Sequence, residues 1–325
     1  MILVTGVSGA LGGLVLEGLS AVDGLEVVAG TRSGDGTTAR RIDFDDPTTL
    51  TEGFRGVDVL MFISAGYAED DVVLARHEAV ADAATTAGVR HVIYTSLAGS
   101  GDLTTLALTH RWTEARLAAA PFDVTILRNG LYAEVPVGLA TAGAGSAAAT
   151  GIFAAAFGEG RVSVVTKADL ADVAVRVATE TQRDLEAQRD LKTEGRSRHA
   201  DKTYELEGVA AIGGQDIAEV LTTALGRTVE YQTVSLYDTR KALEGSGLEP
   251  YQVTHSISLF SNANAGVLEA HDTDLTALLP TEPRPVHDLI IKAVEAGGYQ
   301  SQSVSSRSIT SRSQPHSATT DAVDA

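Results

Sequence analysis

From Met1 to about Gly130, short β-branched runs alternate with longer helical periods, and a glycine-rich turn joins the first run directly to the first helix. Beyond Gly130 the alternation fades into mixed helix and strand signals. Together these features predict an α/β fold, a Rossmann-type doubly wound parallel sheet followed by a small C-terminal α+β lobe. Strands are expected at 2–5, 26–29, 41–43, 59–63, 91–95 and 123–127, each an apolar run bounded by turn residues. The clearest helices are expected at 11–20, 70–87 and 106–119, the last two followed by Gly88 and Pro121, residues that end a helix by taking a left-handed turn or by lacking an amide proton.

Residues 1–130 are assigned to the core domain and 131–299 to a lobe on the substrate side, with elements returning to the core. Helices are expected there at 167–180, 215–225 and 237–244, and a strand at 202–206. The stretch 181–201 is polar without an apolar face and reads as an exposed loop or frayed helix extension. Residues 300–325 are Ser/Thr-rich with scarcely any large apolar side chain and read as a disordered tail.

The net charge of −18 argues against nucleic acid, whose phosphates are held by clustered Lys and Arg. The absence of cysteine excludes disulfides, thiolate metal sites and a cysteine nucleophile. The first strand begins at Ile2, leaving no room for a secretory signal, so a cytoplasmic location is expected. No apolar run reaches the ~18 residues of a membrane helix; the Ala-rich stretch 138–157 is broken by four glycines. No membrane partner, metal or flavin is expected, and the chain is read as a monomer or homodimer.

Thr5-Gly6-Val7-Ser8-Gly9-Ala10-Leu11-Gly12 spells G-x-x-G-x-x-G after a strand and into an amphipathic helix. In that context Gly6 permits a tight turn, Gly9 lets backbone approach a pyrophosphate, and Gly12 lets helix and strand pack closely, with the helix N-terminus facing negative charge. Gly6, Ser8, Gly9, Ala10, Leu11 and Gly12 are therefore assigned to a dinucleotide. Where NAD enzymes place an acid after the second strand, this chain has Gly30-Thr31-Arg32-Ser33. Arg32 favours NADP through bidentate pairing with a 2′-phosphate, while Asp35 leaves NAD open. Asp43 and Phe44 are placed to flank the adenine, or else to anchor a loop. Ile63, Ser64, Thr95 and Ser96 end the fourth and fifth strands, facing the nicotinamide half of the cleft or capping strand ends.

Alcohol–ketone chemistry by a Tyr-x-x-x-Lys pair is excluded: no tyrosine lies between Thr95 and Leu131, and the first lysine is Lys167. The helix after the fifth strand carries His110, which either titrates into the cleft or stands idle on the surface.

Further blocks extend the pattern: Asp58 to Ser64, Ala87-Gly88-Val89 to Tyr94-Thr95-Ser96-Leu97, Leu127-Arg128-Asn129-Gly130-Leu131-Tyr132, Thr166-Lys167-Ala168-Asp169 and Tyr204-Glu205-Leu206. Over residues 1–295 the chain resembles the NmrA-like atypical short-chain dehydrogenases, and within them the type 2 NAD(P)H:quinone oxidoreductases. The resemblance implies a flavin-free transfer of hydride from the nicotinamide to a small quinone-like acceptor. It implies that Arg32 meets the 2′-phosphate, that Lys167 is the basic residue at the cofactor, and that Asn129, Gly130 and Tyr132 line the acceptor side. His110 matches a histidine common in that family, so His110, Tyr132 and Asn129 are the candidate catalytic residues. Ala115 and Arg116 stand where the family commonly keeps a lysine, which departs from its pattern. The competing reading is a non-catalytic redox sensor like the NmrA regulator, which keeps the dinucleotide loop and acts through a protein partner.

Overall fold

A computed structural model describes residues 1–36, 39–64, 68–192 and 195–297. The core begins with β1 (Ile2–Val4), α1 (Ala10–Ser20), β2 (Val27–Thr31), β3 (Ala39–Arg41), α2 (Thr48–Gly53), β4 (Val59–Phe62), α3 (Asp70–Ala87), β5 (His91–Leu97), α4 (Ala107–Ala118) and β6 (Asp123–Asn129). The chain continues through β7 (Leu131–Tyr132), α5 (Glu134–Thr150), β8 (Ile152–Ala155), β9 (Arg161–Val165), α6 (Lys167–Leu191), β10 (Lys202–Leu206), β11 (Ala210–Gly213) and α7 (Gly214–Leu225). It closes with β12 (Glu230–Thr233), α8 (Leu236–Glu244), α9 (Pro250–Asn264), α10 (Leu275–Leu278) and α11 (Val286–Ala296).

Seven strands form one sheet in the order β10-β6-β5-β4-β1-β2-β3, every pair parallel. A parallel sheet is covered on both faces, which is why β1, β4 and β5 are buried throughout. Alternate side chains separate the two layers. Ile2, Val4, Met61, Ile93 and Leu127 pack towards α1, α6 and α10. Leu3, Leu60, Phe62, Tyr94 and Ile126 pack towards α2, α3 and α4. The carboxyl ends of all seven strands share one edge, where the order reverses about β1 and β4, the place such sheets bind ligands.

The strand expected at 202–206 is β10, and it extends the core sheet by pairing in parallel with β6, Lys202 opposite Thr125 and Leu206 opposite Asn129. The lobe has its own core, built from α5, α7 and α11 around Phe153, Phe157, Ile212 and Leu268. The Ala-rich stretch supplies α5, whose small residues Ala140, Ala144 and Ala147 recur at helical spacing and are fully buried.

One expectation is corrected. Of the two readings of 181–201, an exposed loop or a frayed helix extension, the structure has the helix extension but packed rather than frayed: α6 runs unbroken to Leu191, with Thr181, Gln182 and Leu185 buried. Polar Thr181 and Gln182 disguised the buried stripe that continues from Leu170, Val173 and Val177. Ser197 packs on the same helix, its hydroxyl bonded to Asp184 at 3.3 Å. The tail at 300–325 lies outside the described residues. If α6 is core as far as Leu185, Leu185→Ala lowers unfolding free energy by about 2–4 kcal/mol, whereas exposed Leu191→Ala changes it by under about 0.5 kcal/mol; urea denaturation compares the two.

Candidate functional site

The site is built outward from the turn between β1 and α1. Gly6 has φ +64°, a left-handed conformation open to glycine. The Gly9 amide donates to the Gly6 carbonyl at 2.9 Å, closing the turn. A β-carbon on residue 12 would stand 2.3 Å from that carbonyl oxygen and 2.7 Å from its carbon, so only hydrogen fits there. Ser8, Gly9 and Ala10 are exposed, whereas Leu11 and Gly12 are buried under them. Among the described residues no side chain caps α1, and its first turn holds no acidic residue. Its leading amides and the helix dipole thus face the strand edge, which favours an anion by about 0.3–1 kcal/mol at an exposed helix end. A dinucleotide diphosphate fits this backbone cradle.

At the adenosine end, β2 leads into Thr31, Arg32 and Ser33. The Thr31 hydroxyl accepts from the Ser33 amide at 3.1 Å, and Gly34 donates to the Thr31 carbonyl at 3.2 Å. This turn presents Arg32 exposed at the strand edge. Asp35 is engaged in closing the loop, accepting from the Ala39 amide at 3.2 Å. Asp43 and Phe44 are half-buried. The Asp43 carboxylate accepts from the Asp45 amide at 3.1 Å, and Phe44 packs edge-on against Phe62 with ring centroids 5.8 Å apart. Both shape the loop wall in this structure. Arg76 on α3 grips Asp45 with two bonds of 2.7 and 2.9 Å; these hydrogen bonds hold the Asp45 carboxyl below its ordinary range, and the field of Arg32 adds to the effect.

At the carboxyl ends of β1, β4 and β5, three strands are stitched together. The Thr5 hydroxyl accepts from the Ile63 amide at 3.0 Å, and the Thr95 hydroxyl from the Ser64 amide at 2.9 Å. Ile63 also lies against Gly6, 3.2 Å from where a β-carbon would be. Ser96 points to the opposite face of the sheet, where its hydroxyl donates to Glu114 at 2.5 Å. Glu114 is held there by Arg128 at 2.7 Å and Arg111 at 2.7 Å, and Arg128 continues to Glu205 at 2.8 Å. Burial pushes the Glu114 carboxyl up, but the bonds from Arg128 and Ser96 outweigh it, and the net shift is downward.

Tyr132 on β7 and Lys167 at the start of α6 are brought together, and Asn129 ends β6 two residues before β7 begins. Asn129 is buried, and its carbonyl accepts from the Ala98 amide at 2.9 Å. Gly130 passes close to β10, its amide 3.0 Å from the Leu206 carbonyl. The Lys167 ammonium lies 4.9 Å from the centroid of the Tyr132 ring and 3.5 Å from the Glu134 carboxylate. In the same block Thr166 caps α6, accepting from the Asp169 amide at 3.0 Å. The buried Asp169 carboxylate accepts from the Arg284 amide at 3.1 Å and from its guanidinium, tying α6 to the segment before α11.

His110 does not stand apart on the surface. Its Nδ1 lies 2.8 Å from the hydroxyl of Tyr94, a fully buried residue absent from the candidate set. Burial and then the Arg111 charge depress His110 to about 4, so the ring is neutral at pH 7. Beside it, the Thr113 hydroxyl donates to the Thr109 carbonyl at 2.7 Å and must therefore accept from His77 Nδ1, also 2.7 Å away. Burial depresses His77 to about 3. Phe62, His77, Tyr94 and His110 form a continuous ring-to-ring wall with centroids 5.0–6.0 Å apart. Among the described residues no group of three or more His, Asp or Glu could hold a metal, and no helix is long and apolar enough to cross a membrane.

Residues 6–181 match the NAD(P)H-binding family, and the chain belongs to that family, on its NmrA-like branch. It is 34% identical over 259 residues to quinone oxidoreductase 2 of Escherichia coli (strain K12), covering 76% of this chain and 82% of that one. The crystal structure of the NADPH-dependent quinone oxidoreductase from E. coli complexed with NADPH superposes with a TM-score of 0.75 at 31% identity, over 89% of this chain and 98% of the other. Triphenylmethane reductase of Citrobacter sp., complexed with NADP(H), superposes with a TM-score of 0.76 at 27% identity, over 90% and 99% of the two chains. The protein is thus an NAD(P)H-binding oxidoreductase related to quinone oxidoreductase 2 and the dye reductases.

The buried histidines have a consequence for stability. Burial depresses His77 to about 3 and both His91 and His110 to about 4, against 6.5 in an exposed ring. Between those values the unfolded chain binds protons that the folded chain refuses, so stability is lost as pH falls from 6.5 towards 4. Urea midpoints should decline over that window, beginning in its upper part above the ordinary carboxylate range, and His110→Gln should flatten the decline.

Proposed function

We propose that this protein oxidises NADPH in preference to NADH and passes hydride directly, without a flavin, to a quinone or related conjugated carbonyl. The observation that carries the reading is the glycine turn after β1 and exposed Arg32 after β2, neighbouring strands of one parallel sheet, together with the Tyr132–Lys167 contact that follows β6 in the chain. The bound nicotinamide supplies the hydride, so the chain itself has to bind, orient and exclude water.

The amides of the Gly6–Gly12 turn would hold the diphosphate, and Arg32 the 2′-phosphate, with Thr31 and Ser33 fixing its turn. Ile63, Ser64 and Thr95 form the rigid wall against which the nicotinamide half is placed. Asn129 and Tyr132 are assigned to the acceptor side, where their amide and hydroxyl can orient a carbonyl oxygen. Lys167, between Tyr132 and Glu134, is suited to meet an oxygen that gains electron density. His110 serves as a neutral hydrogen-bonding ring fixed by Tyr94, because a base depressed to about 4 is not charged at pH 7. Reduction of a quinone to hydroquinone consumes one hydride, which carries both electrons, and one proton; the proton is assigned to solvent.

Following NADPH absorbance with small benzoquinones tests this directly, and consumption above the uncatalysed rate is expected. Retained nucleotide binding without consumption would return the chain to the sensor reading. Arg32→Ala should raise the KM for NADPH about 10- to 100-fold, the worth of a charge-assisted bond, while leaving that for NADH nearly unchanged. Equal losses for both nucleotides would remove the 2′-phosphate role.

A further inference from the structure

Two carboxylates at the end of β10 hold the segment that follows β5. The Glu205 carboxylate accepts from the Gly99 amide at 2.9 Å, and Glu207 accepts from the next amide, Ser100, at 3.1 Å. That segment begins at Ala98, bonded to the Asn129 carbonyl, so it borders the part of the strand edge assigned to the acceptor. Its far end is pinned to α9, the Thr105 amide donating to Ser258 at 3.0 Å. The Thr273 hydroxyl ties the backbone at both glutamates, 3.1 Å from the Glu205 carbonyl and 2.8 Å from that of Glu207.

The two glutamates differ in one respect. Glu205 also pairs with Arg128, whereas Glu207 is 3% exposed and its Oε2 has no hydrogen-bond partner among the described residues. That oxygen lies 3.2 Å from where a β-carbon on Gly130 would stand, at the turn leading to Tyr132.

We propose that Glu207 is a positioning residue for the acceptor: from its buried place beside Gly130 it fixes the 98–105 segment against the β6–β7 turn, and so sets acceptor affinity without touching the nucleotide. The proposal rests on the oxidoreductase reading above. Burial, opposed only in part by Ser100, raises the Glu207 carboxyl, and the neighbouring Glu205 charge raises it further. The remaining charges nearby are paired: Arg128 with Glu114 and Glu205, and Arg111 with Asp102 and Glu114. Asp274 faces the backbone of Glu205, accepting from its amide at 2.9 Å. Glu207 holds the segment through Oε1, which accepts from the Ser100 amide. A raised carboxyl binds its proton more tightly folded than unfolded, so it withdraws stability as pH climbs above the ordinary glutamate range.

The full chain is compared with Glu207→Gln and Glu207→Ala by quinone and NADPH kinetics, nucleotide binding, and hydrogen exchange of the Ser100 amide. Glutamine preserves the acceptor carbonyl, so Glu207→Gln should keep acceptor KM within about twofold, retain Ser100 protection and gain stability relative to the native chain as pH rises. Glu207→Ala should raise acceptor KM about tenfold, with kcat and NADPH affinity within about twofold, and should lose Ser100 protection. Equal damage from glutamine and alanine, or an alanine variant with unchanged acceptor KM in an active background, overturns the proposal. If the native chain reduces no quinone, the functional reading fails separately; unchanged Ser100 protection in Glu207→Ala would then overturn the positioning role too.

Discussion

The carbonyl oxygen of Gly6 occupies the place where a side chain on residue 12 would begin. Because that side chain is missing, α1 starts against the end of β1, and its uncapped amides open at the strand edge instead of one turn away. The rest of the site inherits its position from this contact. β1 lies between β4 and β2, so Ile63 abuts the turn on one side and Thr31 with Arg32 follows the neighbouring strand on the other. Moving α1 outward to admit even a methyl group would shift the amides relative to both neighbours.

The two faces of the sheet use their polar residues differently. Thr5 and Thr95 tie strand ends together along the edge. On the α3/α4 face, Ser96 and Arg128 meet Glu114, and Tyr94 meets His110. That second set is a scaffold of buried and half-buried groups. Removing one member would strand the others without partners, which in a low-dielectric interior costs more than the lost bond itself. The same scaffold ties the edge strand β10 to the centre through Arg128 and Glu205. The lobe is therefore joined to the coenzyme sheet by backbone pairing and by ions.

Short-range signals made the first domain legible. Glycine spacing needs seven residues, and α3 is bounded as its periodicity and Gly88 predict. The site was less legible wherever a partner is distant in sequence. Tyr94 stands in one of the blocks that carry the resemblance but shows no sign of a site role, because a buried strand tyrosine looks like core and its partner His110 lies 16 residues on. Arg128 sits in a recognisable block, yet nothing local indicates Glu114 or Glu205, the latter 77 residues away. α6 was cut short because Thr181 and Gln182 are polar residues buried on its apolar stripe. Strand 202–206 was visible as a strand, but its pairing with β6 depends on a crossover through the whole of α6.

The charge balance adds a last constraint. A chain carrying −18 repels a polyanionic nucleotide at long range, whatever its site offers. At physiological salt that field is screened beyond about 8 Å, so capture depends on what lies within contact distance. The glycine turn supplies dipoles and amides, which act on any dinucleotide diphosphate alike. Under the function proposed above, discrimination between the two nicotinamide nucleotides falls to Arg32, which is exposed at the Thr31–Ser33 turn. Against that net charge, the fold offers an anion the uncapped amides at the start of α1.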